Sequence, residues 1–213
     1  MLAESAPVSE AQRGPIVAVI LAAGMSKRLG RPKQLLELND VPLVRHVASR
    51  TLGAAVDHVV VVVGAESSRV RAALDGLDIA FVENPAYESG QASSLRAGMA
   101  AVAADSDAIV VLLADQPGID PVTIDRVIAA RREQGAGIVM ARYGEERGHP
   151  VLFGYEFFDE LSRIEGDQGG REVIRAHAEA LVLVPATSER VPADVDNEDA
   201  WSLVRGRGSW GGW

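Results

Sequence analysis

The densest chemistry in this chain lies in Leu21-Ala22-Ala23-Gly24-Met25-Ser26-Lys27-Arg28-Leu29-Gly30-Arg31-Pro32-Lys33. Ala22, Ala23 and Gly24 carry little or no side chain, so a ligand can come close to the backbone and meet its amides. Amides presented in this way suit phosphate oxygens. Arg28 can grip a phosphate in a fork, and Lys33 adds a movable point charge. The competing reading is an ordinary strand-to-helix turn with solvated basic residues, and loop composition alone does not choose between the two. Two familiar phosphate loops are excluded: no G-x-G-x-x-G follows the first strand, and no G-K-[ST] closes the segment.

The elements around this loop must hold it in place. Ile16 to Leu21 is apolar throughout, as expected of a strand covered on both faces of a parallel sheet. Val59 to Val63, Ile79 to Val82, Ala108 to Leu113 and Gly137 to Met140 read as further strands. Between them, helices are expected from Pro42 to about Leu52 with Asp40 as cap, through Val70 and Leu74, over 91–104, and from Pro121 to Gln134. This alternation predicts an α/β, Rossmann-like three-layer αβα sandwich with a mostly parallel, doubly wound sheet. Ligands in such folds sit beyond the carboxyl ends of the strands. The Gly24 loop and Asp115 both follow strand ends, so they should face one crevice.

After Tyr143 the rhythm changes. Gly148 to Phe153 reads as a turn into a strand, 155–163 and 170–179 as helices, Leu181 to Val184 as a strand, and about Glu198 to Val204 as a short helix. The chain is expected to be a single domain over 15–205, with a flexible leader (1–14) and a mobile Gly-rich tail (206–213).

Composition narrows the function classes. The formal charge is −9, which disfavours nucleic acid as a partner. With no cysteine, disulfides, thiolate catalysis and cysteine-ligated metals are excluded. The first residues lack a secretion-signal pattern and the apolar runs are too short to cross a bilayer, so a cytoplasmic protein with no membrane role is expected.

The loop pattern Leu21-Ala-Ala-Gly-x-Ser-x-Arg-x-Gly-x-x-Lys33 resembles the signature of nucleotidyltransferases with a glycosyltransferase-A-like fold, and most closely the molybdenum cofactor cytidylyltransferase branch. Gly90-Gln91-Ala92-Ser93-Ser94-Leu95, Leu113-Ala114-Asp115-Gln116-Pro117, Gly148-His149-Pro150-Val151, Gly166-Asp167-Gln168-Gly169-Gly170-Arg171 and Asp194-Val195-Asp196 agree in order and spacing. The resemblance spans about residues 16–204. It implies attack by an acceptor's phosphate oxygen on the α-phosphorus of a nucleoside triphosphate, with loss of pyrophosphate. It also implies that Leu21, Ala22, Ala23, Gly24, Ser26, Arg28 and Lys33 hold the nucleotide, with Gly90, Gln91, Ser93 and Ser94 contributing. Arg28, Lys33 and Asp115 become the catalytic set. Ala23 favours CTP, since guanine users of the branch tend to carry Gly there. The acceptor implied is a phosphorylated, molybdopterin-type pterin, and the partner a molybdoenzyme or its maturation chaperone.

Magnesium (Mg2+) suits this chemistry, because it takes one or two carboxylates plus phosphate oxygens and water. By the resemblance, Asp115, Asp194 and Asp196 form the metal site, with Asp196 the clearer match of the last two. In a true strand Asp194 and Asp196 would point to opposite sides, and an irregular backbone lets both converge. The competing reading of that pair is a solvated turn. Gln91, Ser93 and Ser94 can equally cap a helix. His149, Asp167 and Arg171 are acceptor-site candidates, though Asp167 and Arg171 can also form a local ion pair. A phosphate acceptor is already ionised, so His149 is not needed as a base. Gly170 stands where the family usually has Ala, and Asn197-Glu198-Asp199 replaces Thr-Pro-Glu. Trp201 is expected to pack on the domain. The alternatives are transfer to a sugar phosphate, an isoprenoid precursor or a deazaflavin-cofactor precursor, or a non-catalytic pterin carrier.

Overall fold

The computed structural model describes residues 14–26, 29–192, 194–195 and 198–206. The expected leader and tail, with Trp210 and Trp213, lie outside the described residues except for Gly14 and Gly206. In chain order the strands are β1 (Ile16–Leu21), β2 (Glu37–Leu38), β3 (Val41–Pro42), β4 (His58–Val63), β5 (Ala80–Glu83), β6 (Ala108–Leu113), β7 (Ile138–Tyr143), β8 (Glu146–Gly154) and β9 (Leu181–Pro185). The helices are α1 (Leu43–Leu52), α2 (Ser67–Ala73), α3 (Gln91–Met99), α4 (Pro121–Gln134), α5 (Phe158–Leu161), α6 (Arg171–Ala176) and α7 (Glu198–Gly206).

Among the described residues, seven strands form one sheet in the order β5-β4-β1-β6-β8-β7-β9. All neighbours pair in parallel except β8, which runs against both β6 and β7. The continuous apolar runs follow from burial on both faces. Ile16, Ala18 and Ile20 of β1 join Val44, Val47, Ile124 and Val127 in one core. Val17 and Val19 join Leu95, Phe153 and Leu161 in the other. Helices α1, α2 and α4 cover the first face, α3 and α5 the second, giving the expected three layers. A smaller cluster seats Trp201 and Val204 of α7 with Val195 on Leu36, Leu38 and Leu43.

Several local expectations are corrected. Asp40 does not cap α1. Asn39 and Asp40 have φ of 53° and 61°, the left-handed pair of a tight hairpin turn between β2 and β3. Pro42 belongs to that hairpin and stands at the helix N-cap. α3 stops at Met99, because the chain turns back through bonds from Ala101 N to Gly98 O (3.0 Å) and Val102 N to Met99 O (3.1 Å) to enter β6. The helices expected over 155–163 and 170–179 shrink to α5 and α6 with short 3-10 turns beside them. Gly148 to Pro150 lie within β8, and the turn falls earlier, at Gly144 (φ 57°).

Candidate active site

The parallel register pairs Leu21 of β1 with Leu113 of β6, and Ala114 N donates to Leu21 O at 3.2 Å. The Ala22-Gly24 loop and Asp115 therefore leave the sheet side by side, in the single crevice expected from their positions. A cavity of about 400 Å3 opens there. Leu21, Ala22, Ala23, Gly24, Lys33, Gly90, Gln91, Ser94, Asp115 and Asp167 all line it.

The loop is held from below. A Cβ on Gly64, at the end of β4, would sit 2.8 Å from Ala23 O and 2.9 Å from the Tyr87 Cβ, so glycine is required for the loop to lie where it does. Gln34, 2% exposed, donates from Nε2 to Ala22 O and Gly24 O, both at 3.2 Å. Engaging these carbonyls offsets their negative ends, which favours an anion nearby. Ser26 does not line the cavity. Its Oγ accepts from Lys33 N at 3.0 Å and its carbonyl accepts from Leu29 N and Gly30 N, so it closes the loop and sets the position of Lys33. Arg28 lies outside the described residues.

The start of α3 forms the opposite wall. Gly90 has φ 108°, and a Cβ there would lie 2.3 Å from Asp167 Oδ1. Ala92 N donates to Gly166 O at 3.1 Å, so the Gly166-Gly170 turn docks onto this helix end. Asp167 consequently joins the cavity of the glycine-rich loop. Ser93 turns inward: Asn84 Nδ2 donates to its Oγ at 2.8 Å, and the hydroxyl reaches Ala86 O and Gly90 O. The cap position is Gly90, so neither Ser93 nor Ser94 caps the helix by its side chain. Ser94, which also receives Asn84 Nδ2 at 3.1 Å, does face the cavity.

A second cavity, of about 550 Å3, adjoins the first, and Leu21, Gln91 and Leu113 line both. Its floor is apolar, with Leu95, Val111, Val151, Phe153 and Leu181. Its rim carries Arg147, Arg171, Arg175 and His149. Arg175 Nη2 donates to Gln168 Oε1 at 3.1 Å. Among the described residues Asp167 and Arg171 form no ion pair, and Arg171 lines this cavity. An amphipathic pocket with a basic rim suits a flat or apolar body carrying an anionic group.

Asp115 lines the first cavity, and its neighbour Gln116 the second. The Asp115 side chain is 6% exposed and forms an ion pair with Lys33 Nζ. Burial raises its proton affinity, the Lys33 charge opposes this, and the Asp194 carboxylate adds a further upward push. Asp194, exposed and on the wall of the second cavity, is tied to Asp115's neighbour by Gln116 Nε2 donating to Oδ1 at 2.6 Å. Two hard carboxylates that feel one another beside a phosphate-sized cavity match the donor set of a small divalent cation. Asp196 lies outside the described residues, among which no group of three acidic or His side chains gathers to hold a metal. Burial pushes the His149 imidazole down to about 4, with Arg171 acting the same way and Asp115 against. His149 is therefore neutral at pH 7. Its carbonyl accepts from Tyr143 Oη at 2.6 Å.

Gln34, Asn84, Gln116, Arg147 and Arg175 were not singled out from the sequence. The signal for Gln34 and Gln116 is adjacency, since each follows a residue of the candidate catalytic set.

The α/β fold is of the nucleotide-diphospho-sugar transferase type, and the family match and a 25%-identical nucleotidyl transferase structure from Methanothermobacter make the class that of a nucleotidyltransferase. Residues 18–181 match the model of the MobA-like NTP transferase domain, and the chain belongs to that family. It is 34% identical over 190 residues to nicotine blue oxidoreductase of Paenarthrobacter nicotinovorans, covering 85% of this chain and 92% of that protein. It is 37% identical over 110 residues to a probable molybdenum cofactor guanylyltransferase of Natronomonas pharaonis, about half of each chain (51% and 53%). The crystal structure of Rv0371c from Mycobacterium tuberculosis superposes with a TM-score of 0.80 at 35% identity, covering 91% of this chain and 98% of that one. Rv0371c in complex with manganese gives a TM-score of 0.76 at 32% identity over 91% and 99% of the two chains. Among the described residues no helix is long and apolar enough to cross a membrane.

Proposed function

We propose that this nucleotidyltransferase moves CMP from CTP onto the phosphate of a molybdopterin-type cofactor, using magnesium. The observation that carries the reading is the pair of adjoining cavities that meet at a boundary formed by Leu21, Gln91 and Leu113, with Asp115 and Lys33 lining the first and Gln116 and Asp194 the second. Two ligands bound there meet at that boundary, which is what transfer between them requires.

In this reading the Ala22-Gly24 backbone, with Arg28, cradles the triphosphate, and Lys33 stabilises charge on the α-phosphate. Asp115 and Asp194, with Asp196, would hold the divalent cation, which supplies charge neutralisation when bound. The manganese complex of Rv0371c supports a divalent ion in this family. Arg171 with Arg147 and Arg175 orients the anionic end of the acceptor, and neutral His149 offers it a hydrogen bond without taking a proton. The apolar floor excludes water from the reacting phosphates. Ala23, 1% exposed, supports CTP by resemblance, while the guanylyltransferase relative makes GTP the competing base.

Incubation with magnesium, molybdopterin and each nucleoside triphosphate, read by pyrophosphate release and product mass, tests this. Turnover of GTP without CTP would overturn the base assignment, and no turnover with any nucleotide would overturn the acceptor. A pure carrier, by contrast, would keep pterin binding in Asp115→Ala. A second reading follows from the 34% identity to nicotine blue oxidoreductase. It requires a redox dye to be reduced or oxidised by this protein at catalytic rates, which absorbance measurement with a nicotinamide donor decides.

A further inference from the structure

Gln116 follows Asp115 directly, yet nothing in the proposed transfer uses its side chain. That side chain is 4% exposed. Nε2 donates to Asp194 Oδ1 at 2.6 Å, across 78 residues of sequence. A carboxylate only accepts, so this contact fixes the amide with its nitrogen toward Asp194 and Oε1 away. Oε1 is buried and meets no donor. A buried amide with its acceptor unsatisfied is a poor structural element, since its desolvation goes uncompensated. An apolar side chain of equal size would serve the fold as well or better.

The contact does serve Asp194. This carboxylate is exposed, in the segment between β9 and α7, and it shares the neighbourhood of a second carboxylate. Like charges at short range push apart, and an exposed aspartate can swing into water. A donor from the element that carries Asp115 counters both tendencies. It also keeps one carboxylate oxygen engaged while the other stays available.

We infer that Gln116 is a positioning residue: its amide holds the Asp194 carboxylate toward Asp115, so that the two present one site to a divalent cation. The inference rests on the cation reading given under the proposed function. It deepens that reading by assigning the assembly of the site to a residue on the wall of the second cavity, beside Asp194.

Gln116→Met keeps the volume and removes the amide. Manganese titrated into the full chain without nucleotide, followed by electron paramagnetic resonance of the free ion, reads the affinity directly. The expected result is binding weakened about 10-fold or more, as is usual when an outer partner of a ligand is lost. The melting temperature of the variant should equal or exceed the wild-type value, which a structural role would not allow. Gln116→Leu, which also lacks the donor, should weaken binding in the same direction. In Gln116→Met/Asp194→Asn the affinity should equal that of Asp194→Asn alone, because Gln116 acts through Asp194. Wild-type affinity in either folded variant, or additive losses in the double variant, would overturn the inference while leaving the cation reading in place. A wild-type protein that binds no manganese would overturn both. Nucleotide and acceptor are absent from the experiment, so an error in the choice of CTP or of the pterin does not affect it.

Discussion

The ammonium group of Lys33 lies on the carboxylate of Asp115, joining the glycine-rich loop to the end of β6. The two partners differ in exposure, 25% for the Lys33 side chain and 6% for Asp115. Burial favours the protonated form of Asp115, and the lysine is what opposes it. The pair thus sets a counter-charge against a buried carboxyl group beside the cavity.

Asp115→Asn should therefore trade activity for stability. The proton affinity of Asp115 is higher in the folded state than in the unfolded chain, so its favourable contribution is present at low pH and is lost as pH rises through the folded value. At neutral pH its charge is a cost to folding. The variant is expected to melt at or above the wild-type temperature while turnover falls about 100- to 1,000-fold. Differential scanning fluorimetry and pyrophosphate release give the two numbers. A large drop in melting temperature would contradict this account.

Lys33→Met should do the reverse to stability. Without its counter-charge Asp115 takes up a proton more readily, and holding it ionised becomes expensive. The expected loss is about 1–3 kcal/mol at high pH, where Asp115 is ionised, shrinking as pH falls and its carboxyl takes up a proton. Urea midpoints as a function of pH measure it. A loss that is flat with pH would show that the ion pair is not its origin.

Gly64→Ala tests the support beneath the loop. The added methyl meets Ala23 O and Cβ and the Cβ of Tyr87, none of which can rotate away. The loop must shift or the strand end must distort. A stability loss of about 1–3 kcal/mol is expected, and nucleotide binding should weaken more than stability alone explains. Isothermal titration with CTP and magnesium, on protein shown to be folded, reads the second effect.

These tests separate what the sequence discloses from what it does not. β1, β4 and β6 were legible because a strand buried on both faces must be apolar throughout, and few other structures need five or six such residues in a row. Their carboxyl ends located the crevice, which is how Ala22, Gly24 and Asp115 could be grouped before any geometry. The hairpin of β2 and β3 was not legible. Asp40 reads as a helix cap because the same short polar side chains serve caps and left-handed turns. The place of Asp167 in the cavity of the glycine-rich loop was not legible for a related reason: it depends on the docking of the Gly166-Gly170 turn onto Gly90, a contact between segments 76 residues apart. Gln34 and Gln116 act through hydrogen bonds to partners that pattern cannot foresee.

His149 predicts a second pH effect, of opposite sign to that of Asp115. Burial pushes its folded value down to about 4, below the ordinary range of an unfolded histidine. The unfolded chain then binds the proton in the interval between. The stabilising contribution is complete above pH 6.5 and is lost as pH falls toward 4, by an order of 1–2 kcal/mol once partial solvent contact is allowed for. His149→Gln should flatten this dependence. The difference in urea midpoint between wild type and variant at pH 4.5 and 7 isolates it from the carboxylates, and an unchanged difference would place His149 in solvent.

Trp201→Ala examines how Asp194 is kept near the crevice. Trp201 is 5% exposed and packs, with Val204 and Val195, against Leu36, Leu38 and Leu43. Val195 directly follows Asp194, so this cluster anchors the carboxylate's backbone as Gln116 engages its side chain. One polar contact of α7, Arg31 to Glu198 at 2.7 Å, joins side chains 47% and 65% exposed and is worth at most about 1 kcal/mol. Loss of the indole should cost about 3 kcal/mol, the usual scale for emptying a buried aromatic site. Glu198→Gln should cost little. If the cluster sets the position of Asp194, manganese affinity must fall in Trp201→Ala and hold in Glu198→Gln, with both variants compared well below their melting temperatures. Equal affinities in the two would mean that Asp194 is held from β6 alone.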